Sequence, residues 1–265
     1  MASSLTARMA MPRGAVIRLA DSPESLAQAA ACEVIAVLEA AIAWRGEAHL
    51  GLAGGRTPTA LYQALAALPF EGWSHVHVWF GDERAVPPEH AESNYRMAHE
   101  VWLAAAPIPA SQVHRWESEL APAAAAGRYD DALRALAARQ ERLVPALDLL
   151  LLGMGADAHT ASLFPGSPLL DESQADRDAD GEAAPCLAAA VHVPALDTWR
   201  LTLTPATIQA ARTVVVLVAG EDKHPAFRRV LGQTPAAIDA PAVLLHHLPG
   251  DVAWFVDRAA LFGAA

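Results

Sequence analysis

Gly153-Met154-Gly155-Ala156-Asp157-Ala158-His159 carries the strongest chemical signal in the chain, because it sets an imidazole two residues after a carboxylate on a glycine-flanked loop. Histidine is the side chain best matched to taking a proton near neutral pH. A lone histidine is more often structural; loop position and company favour general-base chemistry for His159. A second polar loop, Gly81-Asp82-Glu83-Arg84, sets three charges directly after an apolar run. Arg84 offers a planar fork of donors to a carboxylate or phosphate, and Asp82 could orient that guanidinium or a nearby imidazole. The plain alternative is a surface ion pair. A third loop, Gly54-Gly55-Arg56-Thr57-Pro58, places a glycine turn and a hydroxyl where a helix begins. Free N–H groups and the helix dipole favour an anion such as phosphate there, although a capped turn with no ligand has the same pattern. Arg200 and Lys223 are ordinary surface charges taken singly, and with Arg84 they make a local basic site. His75, His77, His246 and His247 share no zinc spacing and read as strand or surface residues.

These loops need a frame that brings them together. Ser25 to Trp44 is a helix-forming segment with a long apolar face and Gly46 just past its end. His49 to Ala53 is a short apolar run leading into the Gly54-Gly55 turn. Thr57 then fits a helix N-cap and Pro58 the first helical position, before the periodic segment Ala60 to Leu68. The same grammar recurs: Val76 to Phe80 runs into Gly81, Leu147 to Leu152 into Gly153, and Thr213 to Ala219 into Gly220. Continuous apolar strands of this kind suit a parallel sheet covered on both faces. Ala91 to Ala105 and Ala123 to Leu143 read as crossover helices, and Val191 to Val193, Arg200 to Thr204 and Val252 to Val256 as further strands. The expected fold is α/β, doubly wound, with a mostly parallel sheet. In such sheets ligands sit outside the carboxyl ends of the strands, which is where all four polar loops fall.

The bulk of the chain sets limits. Its 265 residues fit one α/β domain, and 53% hydrophobic with 18% charged residues is a globular composition. Residues 1–14 read as a disordered tail, 15–265 as the catalytic domain, and the acidic stretch Asp171 to Ala184 as an exposed loop. A net charge of -11 without any Lys/Arg-rich run argues against nucleic acid or an anionic membrane as partner. Two cysteines, Cys32 and Cys186, imply neither a disulfide framework nor a metal motif. No secretory signal or uninterrupted apolar span is visible, so a cytoplasmic protein is expected. Walker-type, G-x-G-x-x-G and G-x-S-x-G patterns are missing, which argues against nucleoside triphosphate, dinucleotide and serine-hydrolase chemistry.

Five blocks in order, LAGGRTP (Leu52 to Pro58), GDERAVP with SNY (Gly81 to Pro87, Ser93 to Tyr95), LLGMGADAHTASLFPG (Leu151 to Gly166), RLTLT (Arg200 to Thr204) and GEDK (Gly220 to Lys223), resemble the 6-phosphogluconolactonase family. The resemblance implies a Rossmann-like fold of the sugar-phosphate isomerase type, related to glucosamine-6-phosphate deaminases. It also implies hydrolysis of 6-phosphogluconolactone, the second step of the oxidative pentose phosphate pathway, with no cofactor and no metal. On this likeness His159 is the general base, Asp82 and Arg84 are active-site residues, and Arg200 and Lys223 hold the phosphate with help from Gly54, Gly55, Arg56 and Thr57. The implied partner is the small sugar phosphate lactone alone, for a monomer or small homo-oligomer. Two departures stand out: Arg56 replaces the Ser common in relatives, and Ala158 replaces a common Gly. A deaminase or isomerase of amino sugar phosphates, and a sugar-phosphate-sensing regulator, are the rivals. The first lacks its MDEY-like loop here, and the second lacks a DNA-binding module.

Overall fold

The computed structural model describes residues 5–10, 16–171, 185–232 and 236–263. Strands β1 (Leu5–Ala10) and β2 (Val16–Ala20) precede helix α1 (Pro23–Arg45), strand β3 (Ala48–Leu52), helix α2 (Arg56–Ala67) and strand β4 (Val76–Phe80). Short strand β5 (Asp82–Arg84), helices α3 (Asn94–Ala98) and α4 (Pro122–Arg139), and strand β6 (Leu149–Gly153) follow. The remainder comprises strands β7 (Ala188–Val193) and β8 (Thr198–Leu203), helix α5 (Pro205–Gln209), strand β9 (Thr213–Val218), helix α6 (His224–Gly232), strand β10 (Asp251–Asp257) and helix α7 (Arg258–Phe262).

The main sheet has the order β1-β2-β10-β9-β6-β3-β4, parallel throughout except for the antiparallel β1. Its central strands are buried along nearly their whole length, as their unbroken apolar runs require of a sheet covered on both faces. From β3 the chain passes outward to β4 and then returns to β6 on the other side of β3. The loops leaving β3 and β6 therefore diverge, and a crevice opens at this switch point.

Helix α1 starts with a Ser22–Ser25 capping box and packs its buried face, including Leu26, Val34 and Leu38, against the sheet and α2. By length and composition alone it could cross a membrane. Here it is a core helix, tied to β2 by the Arg18–Glu33 ion pair.

Three expectations change. Residues 5–10, read as part of a tail, form β1, whose backbone pairs with the otherwise open edge of β2. Thr57 is not the N-cap of α2: Gly55 is, and the helix begins at Arg56. Pro58 is still tolerated because the N–H groups of the first turn have no intrahelical acceptor in any case. The helix expected over Ala91 to Ala105 is a short α-helix, Asn94–Ala98, continued by a π-helical turn, His99–Leu103. The further strands expected at Val191 to Val193 and Arg200 to Thr204 are present as β7 and β8, and they form an antiparallel three-stranded sheet with β5. Residues 172–184 of the acidic stretch lie outside the described residues.

Candidate active site

The crevice is a cleft of about 470 Å³ walled by the loops after β3, β4, β6 and β9. Its apolar floor includes Leu152, Met154 and Leu217. A volume of that size suits a small ligand.

On the β6 side, His159 Nδ1 lies 2.6 Å from Asp157 Oδ1, and the same oxygen accepts the His159 backbone N–H at 3.1 Å. A carboxylate can only accept, so Nδ1 carries the proton and Nε2 is left as the basic nitrogen of a side chain that lines the cleft. Burial raises the Asp157 pKa, but the hydrogen bonds and charge of His159 outweigh it and hold the carboxyl at about 2. Asp157 is therefore a permanent anion at neutral pH. Gly155 makes the pairing possible: a Cβ there would stand 2.1 Å from His159 Nδ1. Ala158, between the two partners, is in the left-handed region at φ 70°. That conformation costs an Ala roughly 1 kcal/mol. Its methyl is fully buried, and hydrogen bonds from Ala158 N to Gly155 O and from Ala242 N to Ala158 O fix the turn.

Across the cleft, β5 carries Asp82 and Arg84 on its wall with Glu83 buried between them. Glu83 accepts from the backbone N–H groups of Arg84, Asn94 and Tyr95 and from Ser93 Oγ, all at 2.7–3.1 Å. Burial pushes its pKa up against those donors. Asp82 Oδ2 accepts from Ser162 Oγ at 2.6 Å, which joins the β4 loop to the histidine loop. Asn94 Nδ2 donates to the Asp82 backbone oxygen at 3.0 Å. Arg84 stands opposite Arg200 in the β5–β8 register.

The basic end of the cleft lies at α2 and after β9. Arg56 and Thr57, the first two residues of α2, both line it, and their backbone N–H groups precede the first intrahelical acceptor. The Arg56 side chain makes no hydrogen bond or ion pair with any described group. Lys223 reaches the same cleft and pairs with Asp222 at 3.1 Å.

Residues 21–254 match the family described as glucosamine-6-phosphate isomerases/6-phosphogluconolactonase. The chain belongs to that family. A 6-phosphogluconolactonase of Nostoc sp. is 35% identical over 231 residues, 86% of this chain and 89% of the relative. The Homo sapiens 6-phosphogluconolactonase is 36% identical over 257 residues, covering 95% of each chain. Among solved structures, 6-phosphogluconolactonase from Trypanosoma brucei superposes with a TM-score of 0.77 at 29% identity, over 96% of this chain and 98% of that one. A monomeric glucosamine-6-phosphate deaminase superposes at 0.72 with 21% identity, over 92% of this chain and 98% of that one, a likeness of fold alone.

Within this family frame, the structure brings together His159, Asp82, Arg84, Gly54, Gly55, Arg56, Thr57 and Lys223 on one cleft. Arg200 is the exception. It is not among the residues that line the cleft; its Nη1 donates to Thr198 Oγ1 and the Trp199 backbone oxygen, and it stands beside Arg84 on the same face of the β5–β8 pair. Burial and the Arg84 charge both lower its pKa. Sequence reasoning gave no role to Asn94, Ser162 or Glu83. Ser93 to Tyr95 were legible as a family block, but nothing local shows that a residue ten positions downstream folds back onto Glu83. Ser162 lies in the histidine stretch, and its contact with Asp82 spans eighty residues.

Proposed function

We infer that this chain hydrolyses 6-phosphogluconolactone to 6-phosphogluconate as a soluble cytoplasmic enzyme, by His159-assisted attack of water on the lactone carbonyl. The observation that carries the reading is the Asp157–His159 pair facing a cleft whose far end is basic. The phosphate would lie at the first turn of α2 with Arg56 and Lys223, where unpaired N–H groups, the helix dipole and two cations favour an anion. That placement directs the lactone ring toward the histidine loop.

Nε2 of His159 then takes a proton from water as the water oxygen bonds to the carbonyl carbon. The carbonyl oxygen becomes an oxyanion, for which Arg84 supplies a cation on the wall that faces His159. Collapse of that intermediate re-forms the carbonyl and breaks the bond to the ring oxygen, which receives the proton held by the imidazolium. The products are a carboxylic acid, ionised at neutral pH, and a free hydroxyl; proton and electron counts balance without another reactant. Asp157 stabilises the transient imidazolium and keeps the ring in its productive tautomer.

The test is the disappearance of freshly generated 6-phosphoglucono-δ-lactone, with wild type and His159→Ala at equal folded concentration against the uncatalysed rate. General-base catalysis is worth roughly 10²–10⁴-fold, so the variant should lose most of its turnover while keeping its fold. Full activity in His159→Ala would remove the assigned base. Ammonia released from glucosamine 6-phosphate by the wild type would move the assignment to the deaminase branch.

A further inference from the structure

Asn94 is 2% exposed, yet its side chain forms part of the cleft wall. Nδ2 donates to the Asp82 backbone oxygen at 3.0 Å and to Asp82 Oδ1 at 3.3 Å. Both partners are acceptors, so the network itself decides which end of the amide is nitrogen. The whole amide lies over the bare Cα of Gly54, where a Cβ would stand 1.9 Å from Oδ1 and 2.6 Å from Nδ2. Oδ1 receives no hydrogen bond from a described group and is not sealed from solvent. The backbone is held as firmly as the side chain, since the Asn94 N–H donates to Glu83 at 2.7 Å.

The cleft thus presents a rigid acceptor whose donor end is already committed. An acceptor in a mostly buried setting is costly to leave unpaired, so it favours a ligand that brings a donor to it. Phosphate dianion oxygens and a lactone carbonyl only accept; on a sugar lactone the donors are the ring hydroxyls. We propose that Asn94 Oδ1 accepts a hydrogen bond from one ring hydroxyl of the bound lactone, which makes Asn94 a specificity-determining residue. The proposal rests on the lactonase reading above. It gives the cleft a division of labour: the α2 turn and Lys223 read the phosphate, His159 meets the carbonyl, and Asn94 reads the sugar. The unsubstituted Gly54 makes room for that amide.

A substrate-by-variant cycle tests this. kcat/KM is measured for 6-phosphogluconolactone and its 2-, 3- and 4-deoxy analogues with wild type, Asn94→Ala and the near-isosteric Asn94→Leu, which guards against a variant that fails to fold. Wild type should lose roughly ten- to a hundredfold on one deoxy analogue, the cost of leaving a buried acceptor unpaired. Both variants should be slower on the parent lactone and treat that same analogue within about threefold of it, because the two deletions remove one shared interaction. A variant that slows all four substrates by one common factor would overturn the proposal and leave Asn94 as a support for Asp82. Failure of the wild type to open the parent lactone is a separate result; it would overturn the lactonase reading, and this proposal with it.

Discussion

A carboxylate 2.6 Å from His159 Nδ1 fixes the tautomer and favours the imidazolium that forms during proton transfer. Because the Asp157 carboxyl is held at about 2, it keeps its charge across the working range of pH. Asp157→Asn should lower kcat by roughly 10- to 100-fold, a part of the general-base contribution. It should also move the acid limb of the kcat/KM profile to lower pH, since the anion that stabilises the protonated ring is gone. An unchanged limb, measured from pH 4 to 8, would deny Asp157 that role. The same pair supplies a stability contribution through the carboxylate. Its folded pKa is depressed below the ordinary 3.8, so the contribution is present above that value and is lost as pH falls toward 2.

At the scale of elements, Glu83 holds the β4 side of the cleft. One buried carboxylate accepts from three backbone N–H groups and a hydroxyl, which ties β5 to the Ser93 N-cap and the start of α3. Glu83→Ala would leave those donors without an acceptor, at a cost of about 2 kcal/mol or more in unfolding free energy. Its expected signature is combined: a lower denaturation midpoint, a higher KM and a lower kcat, since Asp82, Arg84 and Asn94 all depend on that tie. Normal kinetics in a destabilised Glu83→Ala protein would show that the cleft does not rely on it. The local sequence hides this device. Along the chain GDER reads as a charged ligand-binding loop or a surface ion pair with no part for Glu83, whereas in the fold Glu83 is 1% exposed and its donors come from residues 84 and 93–95.

Over the whole molecule, the end of the sheet opposite the cleft holds a second histidine cluster with a different physical role. Trp79 Nε1 donates to His49 Nδ1 at 3.1 Å, so the remaining His49 proton is on Nε2, facing Glu47 Oε1 at 3.1 Å. His77 Nδ1 and His114 Nε2 are 3.1 Å apart, a contact that requires one lone pair and one proton. Glu47 also faces His77 and Arg139, and Asp148 accepts from the His49 backbone N–H and pairs with Arg45. Burial lowers the pKa of all three imidazoles, with His114 brought down to about 4. Between pH 6.5 and 4 the unfolded chain therefore binds more protons than the folded one, and stability falls as the pH is lowered through that window. His114→Phe keeps a ring against Trp79, whose centroid is 4.0 Å away, and removes one titrating group. Its melting temperature should vary less than that of wild type between pH 6.5 and 4; an identical slope would place the titration elsewhere.

By itself the sequence determined the alternation of apolar strands, glycine turns and helices. It also determined the edge of the sheet at which chemistry occurs, because both follow from periodicity and from the rule that loops at the carboxyl ends of parallel strands converge. Val76–Phe80 was legible residue for residue, and the main strands after it to within a few positions. His159, Asp82, Arg84, the α2 turn and Lys223 were legible for the same reason: each closely follows its strand in the chain. Only the tertiary structure decided the rest. The bond between Ser162 and Asp82, the clamp on Asn94, the pairing of Arg200 beside Arg84, and the histidines stacked from β3, β4 and the segment after them all join residues separated in sequence. Such contacts are selected by packing and by the pairing of buried polar groups across elements, and a pattern read along one strand or helix contains no term for them.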